Sequence, residues 1–211
     1  MSVAASSHAH LFVLSGPSGV GKSTLAQAVL DQDEHLARAI THTSRAARES
    51  ERNGVHYHFV SESQFLAMMR RDEFLETVHI FGNYYGTSRK AVLDSLANGT
   101  DTLLIIDWQG AQSVRQQFQG VTSLFVLPPS VAALNHRLTG RETEEHASYE
   151  SRLASARDEM SHYNEYDYVL INDLFDTTVE QIHEVVETTR ANRNIQIGPT
   201  QAAIEALLAS T

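Results

Sequence analysis

Short unbroken apolar runs alternate along this chain with stretches of helical period. Leu11-Phe12-Val13-Leu14 is the first run, and Thr24 to Leu30 follows it as a helix. Leu36 to Ile40 reads as a short strand. Residues 41–54 are polar and hold Arg45, Arg48 and Arg52, so they read as a loop closed by the Asn53-Gly54 turn. Val55 to Val60 alternates like a strand. Ser61 and Gln64 have the spacing of a capping box, opening a helix with Phe65, Leu66, Met68 and Met69 as its core-filling side. A helix over 88–97 is stopped by Asn98-Gly99. Thr102 to Ile106 is a continuous apolar run ending at Asp107, the pattern of a buried parallel strand with a carboxylate at its C-terminal end.

The alternation continues to the end. Residues 110–119 are expected to be helical, 123–127 a buried strand closed by Pro128-Pro129, and a helix runs from Ser130 to the region of Arg141. A helix carries Arg152 to Met160, Tyr166 to Ile171 is the last strand, and a helix over 177–190 closes the domain. The tail is polar until Gly198-Pro199, then Ala202 to Leu208 suggest a short amphipathic helix. Strands alternating with helices predict a doubly wound α/β fold with ligands at the C-terminal strand ends.

Composition narrows the class. At 211 residues, one domain with inserted subdomains is expected. A 42% hydrophobic share supplies a core, and a net charge of −10 argues against a general nucleic-acid surface. There is no cysteine, so disulfides and thiolate metal sites are excluded. Met1 to His10 lacks the order of a signal peptide, and no apolar run approaches a membrane span. The expectation is a soluble cytoplasmic enzyme with no membrane partner.

The chemistry starts at Gly16-Pro17-Ser18-Gly19-Val20-Gly21-Lys22-Ser23, which fits G-x-x-x-x-G-K-[ST] between a strand and a helix. Its glycines let successive N–H groups point into one concavity, and the helix N-terminus adds partial positive charge. Lys22 can reach β- and γ-phosphates, Ser23 can ligate Mg²⁺, and Thr24 follows in the same turn. The motif predicts binding of a nucleoside triphosphate.

Further motifs identify the acceptor. Thr43-Ser44-Arg45, Arg48, Glu51, Asn53-Gly54, Tyr57 and Phe59 come first, then Glu73-Phe74-x-Glu76 and Gly82-Asn83-Tyr84-Tyr85-Gly86. Ile106-Asp107-Trp108-Gln109-Gly110, Leu127-Pro128-Pro129-Ser130 and Asn172-Asp173 follow. In order and spacing, from Leu11 to Arg190, the chain closely resembles the guanylate kinase family, bacterial type; more weakly, the tail resembles the C-terminal extension of proteobacterial members. The resemblance implies a P-loop nucleoside monophosphate kinase fold: an α/β parallel sheet core with a GMP-binding insert and a lid. The core would be 1–40, 96–136 and 153–190, the insert 41–95, the lid 137–152 and the extension 191–211. It implies Mg-dependent transfer of the ATP γ-phosphoryl group to GMP or dGMP, with ATP and Mg²⁺ as cofactors.

Arg45 and Arg48 can fork onto a monophosphate dianion, and Tyr57 and Tyr85 offer hydroxyls to it as their counterparts do in the family. Glu76 can accept from guanine N1–H and the 2-amino group together, with Thr41 and Thr87 supplying hydroxyls to the base edge. Adenine lacks both donors and would leave a buried charge unpaired, a loss on the order of 10⁴-fold. Arg137, Arg141 and Arg152 resemble lid arginines that close over ATP, and Asn172 falls on the adenine side. The resemblance implies that Asp107 faces GMP and, through water, Mg²⁺.

The chain departs from the family where an acid usually precedes Asp107 by two positions, because Ile105 stands there. Residues two apart on a strand share a face, so weaker GMP binding or slower turnover is expected; an Ile105→Asp variant with unchanged kcat/KM for GMP would contradict this. Ala47, Ser50 and Glu142 also depart from the pattern, in loops. Of the 11 histidines, His56 and His58, like His8 and His10, are spaced to share a strand face, but no third ligand is evident, so surface roles are expected. Two other functions fit parts of the pattern. A non-catalytic guanylate-kinase-like module would have lost the phosphate loop. A ribose bisphosphokinase would lack the base-reading set. Monomer and homodimer both stay open.

Overall fold

The structure, a computed structural model, describes residues 9–80, 82–139 and 156–209. Its centre is β1 (Leu11–Ser15), paired in parallel with β7 (Asp101–Ile105) on one side and β8 (Thr122–Leu127) on the other. β2 (Leu36–Arg38) and β9 (Tyr168–Ile171) complete a five-stranded parallel sheet of order β2-β7-β1-β8-β9. Both faces are covered. Leu11 and Val13 enter one core, whereas Phe12 and Leu14 enter the other. Burial on both sides is why these strands read as unbroken apolar runs rather than alternating ones.

α1 (Lys22–Gln32) and α7 (Phe175–Arg190) cover one face with Leu25, Val29, Val179 and Ile182. The other face is covered by α3 (Arg89–Ala97), α4 (Trp108–Gln117), α5 (Val131–Thr139), helical residues 156–161 (α6) and α8 (Gln201–Ala209). The tail helix therefore packs on its own chain: Ile204 and Leu207 are buried in that core, and Gln201 Nε2 donates to the Tyr163 hydroxyl at 2.8 Å. Among the described residues no helix is long and apolar enough to cross a membrane.

A second sheet has order β4-β3-β6-β5, formed by β3 (Thr41–Thr43), β4 (His58–Phe59), β5 (Phe74–Ile80) and β6 (Asn83–Ser88). Here the sequence pattern misleads twice. Thr41–Thr43 belongs to a strand rather than a loop, because Thr41 and Thr43 are buried by pairing with β6. Of the expected 55–60 strand only His58–Phe59 joins the sheet, and Tyr57 forms just an isolated bridge with Asn53. The Asn53-Gly54 turn continues through His56, whose N–H donates to Arg52 O at 3.1 Å, and Gly54 N–H donates to Tyr57 O at 2.8 Å. α2 (Glu62–Arg70) has the expected capping box: Ser61 Oγ accepts from Gln64 N–H and Gln64 Oε1 from Ser61 N–H. Phe65 alone of its apolar residues is fully buried, stacked on Phe74 at 4.5 Å, and Met69 is 40% exposed. Leu66 and Met68 are half-buried beside it, so the helix docks chiefly through one ring.

Candidate functional site

The phosphate loop turns from β1 into α1. Gly16 sits at φ 144° where a Cβ would lie 2.3 Å from Val126 O, so only glycine fits. Gly21 precedes α1 in a left-handed conformation, and no side chain caps this helix among the described residues. Its first N–H groups therefore face the cleft end of the loop without a competing carboxylate from the first turn. Lys22 Nζ donates to Gly16 O at 2.5 Å and Pro17 O at 3.0 Å, so the ammonium lies over the loop. Val20 is buried, and its carbonyl accepts from Asn172 Nδ2 at 2.8 Å and from an Arg137 guanidinium N–H at 3.1 Å.

Opposite the loop, three side chains form one row across the second sheet. Thr41 pairs with Thr87, and Thr87 with Glu76, so all three share a face. Thr87 Oγ1 donates to Glu76 Oε1 at 2.6 Å. Glu76 is 3% exposed, and burial pushes its pKa up to about 7, with Asp107 adding to the rise and Thr87 opposing it. Glu76, Val78 and Ile80 alternate into the cleft, and Tyr85 joins them from β6.

Asp107 caps α4, accepting from Gly110 N–H at 2.8 Å through Oδ1. Burial raises its pKa, against the backbone N–H groups and the Lys22 charge. Gly110 is wedged between the acids: a Cβ there would lie 3.0 Å from Glu76 Oε2 and 3.2 Å from Asp107 Oδ1.

Arg45 is fixed by Glu51, whose two carboxylate oxygens lie 2.8 and 2.9 Å from one guanidinium nitrogen. Partial burial works against the Arg45 charge, and Glu51 more than offsets it, so the pKa is raised. Glu51 also accepts from Arg48 N–H at 2.8 Å, which orders the loop between the two arginines. The Arg45 guanidinium stands 5.6 Å from the Tyr57 ring centroid, and Tyr57 meets Tyr85 edge-on at 6.1 Å.

One cleft of about 250 Å³ unites Ser18, Lys22 and Ser23 with Thr41, Arg45, Arg48, Tyr57, Glu76, Tyr85 and Asp107. Thr87 lies behind Glu76. Ile105 lines the same cleft as Asp107. Gly19, Gly21, Thr24, Arg137 and Asn172 border a separate hollow on the other side of the loop. Arg141 and Arg152 lie outside the described residues, as do Glu142 and His8.

Glu51, Gly110 and Glu159 were not singled out for a role by sequence reasoning. Glu51 and Gly110 stand inside the quoted motifs, where a carboxylate between two arginines and a glycine after an acid were the available signals. Glu159 Oε2 accepts from Ser18 N–H at 3.1 Å, a contact spanning most of the chain and without local signal. The His42 and His58 rings lie 4.6 Å apart, and burial drives His42 down to about 4. His56 Nδ1 instead accepts from Arg52 N–H. Among the described residues no three His, Asp or Glu gather as metal ligands.

A family model described as guanylate kinase matches residues 8–189. The chain belongs to the guanylate kinase family. It is 45% identical over 203 residues to guanylate kinase of Pasteurella multocida, covering 95% of this chain and 98% of that protein. Identity to guanylate kinase of Methylobacillus flagellatus is 43% over 199 residues, 94% of this chain and 98% of the other. The crystal structure of guanylate kinase from Anaplasma phagocytophilum superposes with TM-score 0.73 at 33% identity, covering 97% and 95% of the two chains. The parallel core and second sheet are thus the P-loop nucleoside monophosphate kinase fold of that family.

Proposed function

We propose that this chain is a guanylate kinase, catalysing ATP + GMP ⇌ ADP + GDP, with dGMP also accepted, and so feeding guanosine triphosphate supply. The observation that carries the reading is that Thr41 and Glu76 line the same cleft as Lys22 and Ser23, with Thr87 paired between them and bonded to Glu76. The ionised Glu76 accepts from guanine N1–H and the 2-amino group, while Thr41 and Thr87 meet the base edge. Arg45 and Arg48, with the Tyr57 and Tyr85 hydroxyls, hold the GMP phosphate. Glu51 keeps Arg45 aimed before the ligand arrives.

Lys22 leaves the Gly16 and Pro17 carbonyls for the β- and γ-phosphates of ATP, and residues 16–24 wrap those phosphates with backbone N–H groups. Arg137 and Asn172 border the adenine side, and Arg137, Arg141 and Arg152 supply cationic charge from the lid, proposed as residues 137–152. The core is assigned to 1–40, 96–136 and 153–190, the GMP insert to 41–95 and the extension to 191–211. No nucleophile or base is needed from the protein, because positioning and charge stabilisation carry phosphoryl transfer. The hard oxygen donors of Ser23 and Asp107 share one cleft and fit Mg²⁺, Ser23 directly and Asp107 through water; when bound, the ion neutralises phosphate charge. The reading takes the enzyme as cytoplasmic, with nucleotides as its partners rather than nucleic acid or membrane.

Glu76→Gln tests the base-reading role. Its amide presents a donor to the guanine donors, so kcat/KM for GMP falls by about 10²-fold or more while KM for ATP holds. Unchanged kcat/KM for GMP would refute the assignment.

A further inference from the structure

Glu76 stands opposite Thr87 because β5 breaks its ladder one residue earlier. Phe74 pairs with Ser88 and Glu76 with Thr87, leaving Leu75 as an extra residue. In an unbroken ladder Phe74 and Glu76, two apart, would share a face. Instead Phe74 turns to the sheet face covered by α2, buried and stacked on Phe65, Leu75 enters the core, and Glu76 faces the cleft. Such a bulge frees backbone groups from the ladder, and two side chains take them up. An Arg89 guanidinium N–H donates to Phe74 O at 3.0 Å, and Gln117 Nε2 donates to Leu75 O at 2.7 Å. The same Arg89 nitrogen donates to Gln117 Oε1 at 2.9 Å, joining the pair. Arg89 opens α3 and Gln117 closes α4, so the clamp ties the bulge to two core helices. At the other end of α4 stand Asp107 and Gly110, already against Glu76.

We propose that Gln117 and Arg89 are positioning residues for base recognition: they hold the Leu75 bulge and so fix the register that sets Glu76 opposite Thr87. This rests on the reading of Glu76 as the guanine acceptor. Neither side chain lines the cleft, so each acts through β5. Register matters because a one-residue slip turns every side chain to the other face.

Gln117→Met keeps the side chain's length but donates nothing. KM for GMP rises about three- to tenfold, the size of one lost hydrogen bond. The preference for GMP over AMP falls in parallel, while KM for ATP moves by less than about twofold. Gln117→Lys, which can again donate to Leu75 O, recovers most of the GMP KM, and Arg89→Met repeats the split. A Gln117→Met enzyme with normal GMP KM, a rise in both KM values together, or a lysine variant no better than methionine would overturn the proposal. Glu76→Gln is assayed alongside. If it leaves GMP use intact, the reading of Glu76 has failed; if it impairs GMP use while Gln117→Met does not, only the positioning role falls.

Discussion

Burial holds the Glu76 carboxyl protonated up to about pH 7, so the proposed guanine acceptor is charged mainly on the alkaline side of that value. A protonated Glu76 cannot accept from both guanine donors. GMP affinity of the free enzyme therefore rises as pH increases through about 7, read by titration calorimetry at pH 6 and 8; a flat profile would contradict it. The sign for stability is opposite. The folded pKa lies above the unfolded value, so the folded state holds the extra proton between about 4.5 and 7 and loses stability as pH rises through that window. Glu76→Gln removes this loss, so its Tm relative to the parent is higher at pH 8 than at pH 5. An equal Tm difference at both values would show that the carboxyl is not held neutral. Ile105 belongs to this scale too: it puts an apolar side chain in the cleft beside Asp107, so no third carboxylate adds to the two already raised.

At the scale of elements, α4 connects the two acids. Its cap is Asp107, and its first turn brings Gly110 against Glu76. Gly110→Ala improves helix propensity by about 1 kcal/mol, yet its methyl must push Glu76 Oε2 aside. KM for GMP rises, KM for ATP does not, and the melting temperature does not fall; steady-state kinetics and a thermal melt check all three. The capping box of α2 is remote from the chemistry. Ser61→Ala costs about 1 kcal/mol of stability and leaves kcat/KM unaltered.

These elements differ in how far they could be read in advance. The core strands and the phosphate loop were legible because burial on two faces and a glycine-rich turn leave local signatures. β3 was not, since three residues of a threonine-histidine segment acquire their burial only by pairing with β6. The Leu75 bulge was equally hidden. Phe74, Glu76, Val78 and Ile80 alternate in phase along the sequence, and only Gln117 and Arg89, distant in the chain, reveal that the first of them faces away. Arg45, Tyr57 and Glu76 were legible as donors and acceptors, but Glu51 gained a role only when its contact with Arg45 was seen.

At the scale of the whole molecule, a parallel sheet presents the phosphate loop and a second sheet presents Thr41, Glu76 and Tyr85, and the cleft lies between them. α8 fastens the tail to the core through Ile204 and Leu207. Removing residues 199–211 exposes that surface and costs on the order of 3 kcal/mol, at about 1.5–3 kcal/mol per buried aliphatic side chain, with KM values unmoved because none of the described tail residues lines the cleft. Denaturant melts of the truncated chain measure the loss. The central claim meets its most direct test in a coupled assay of ADP release from ATP and Mg²⁺, with GMP, dGMP, AMP, CMP and UMP compared as acceptors. Turnover with GMP exceeding AMP by orders of magnitude, and abolished by chelating the metal, is the predicted result. ATP binding without phosphorylation of any acceptor, or equal use of AMP, would contradict it.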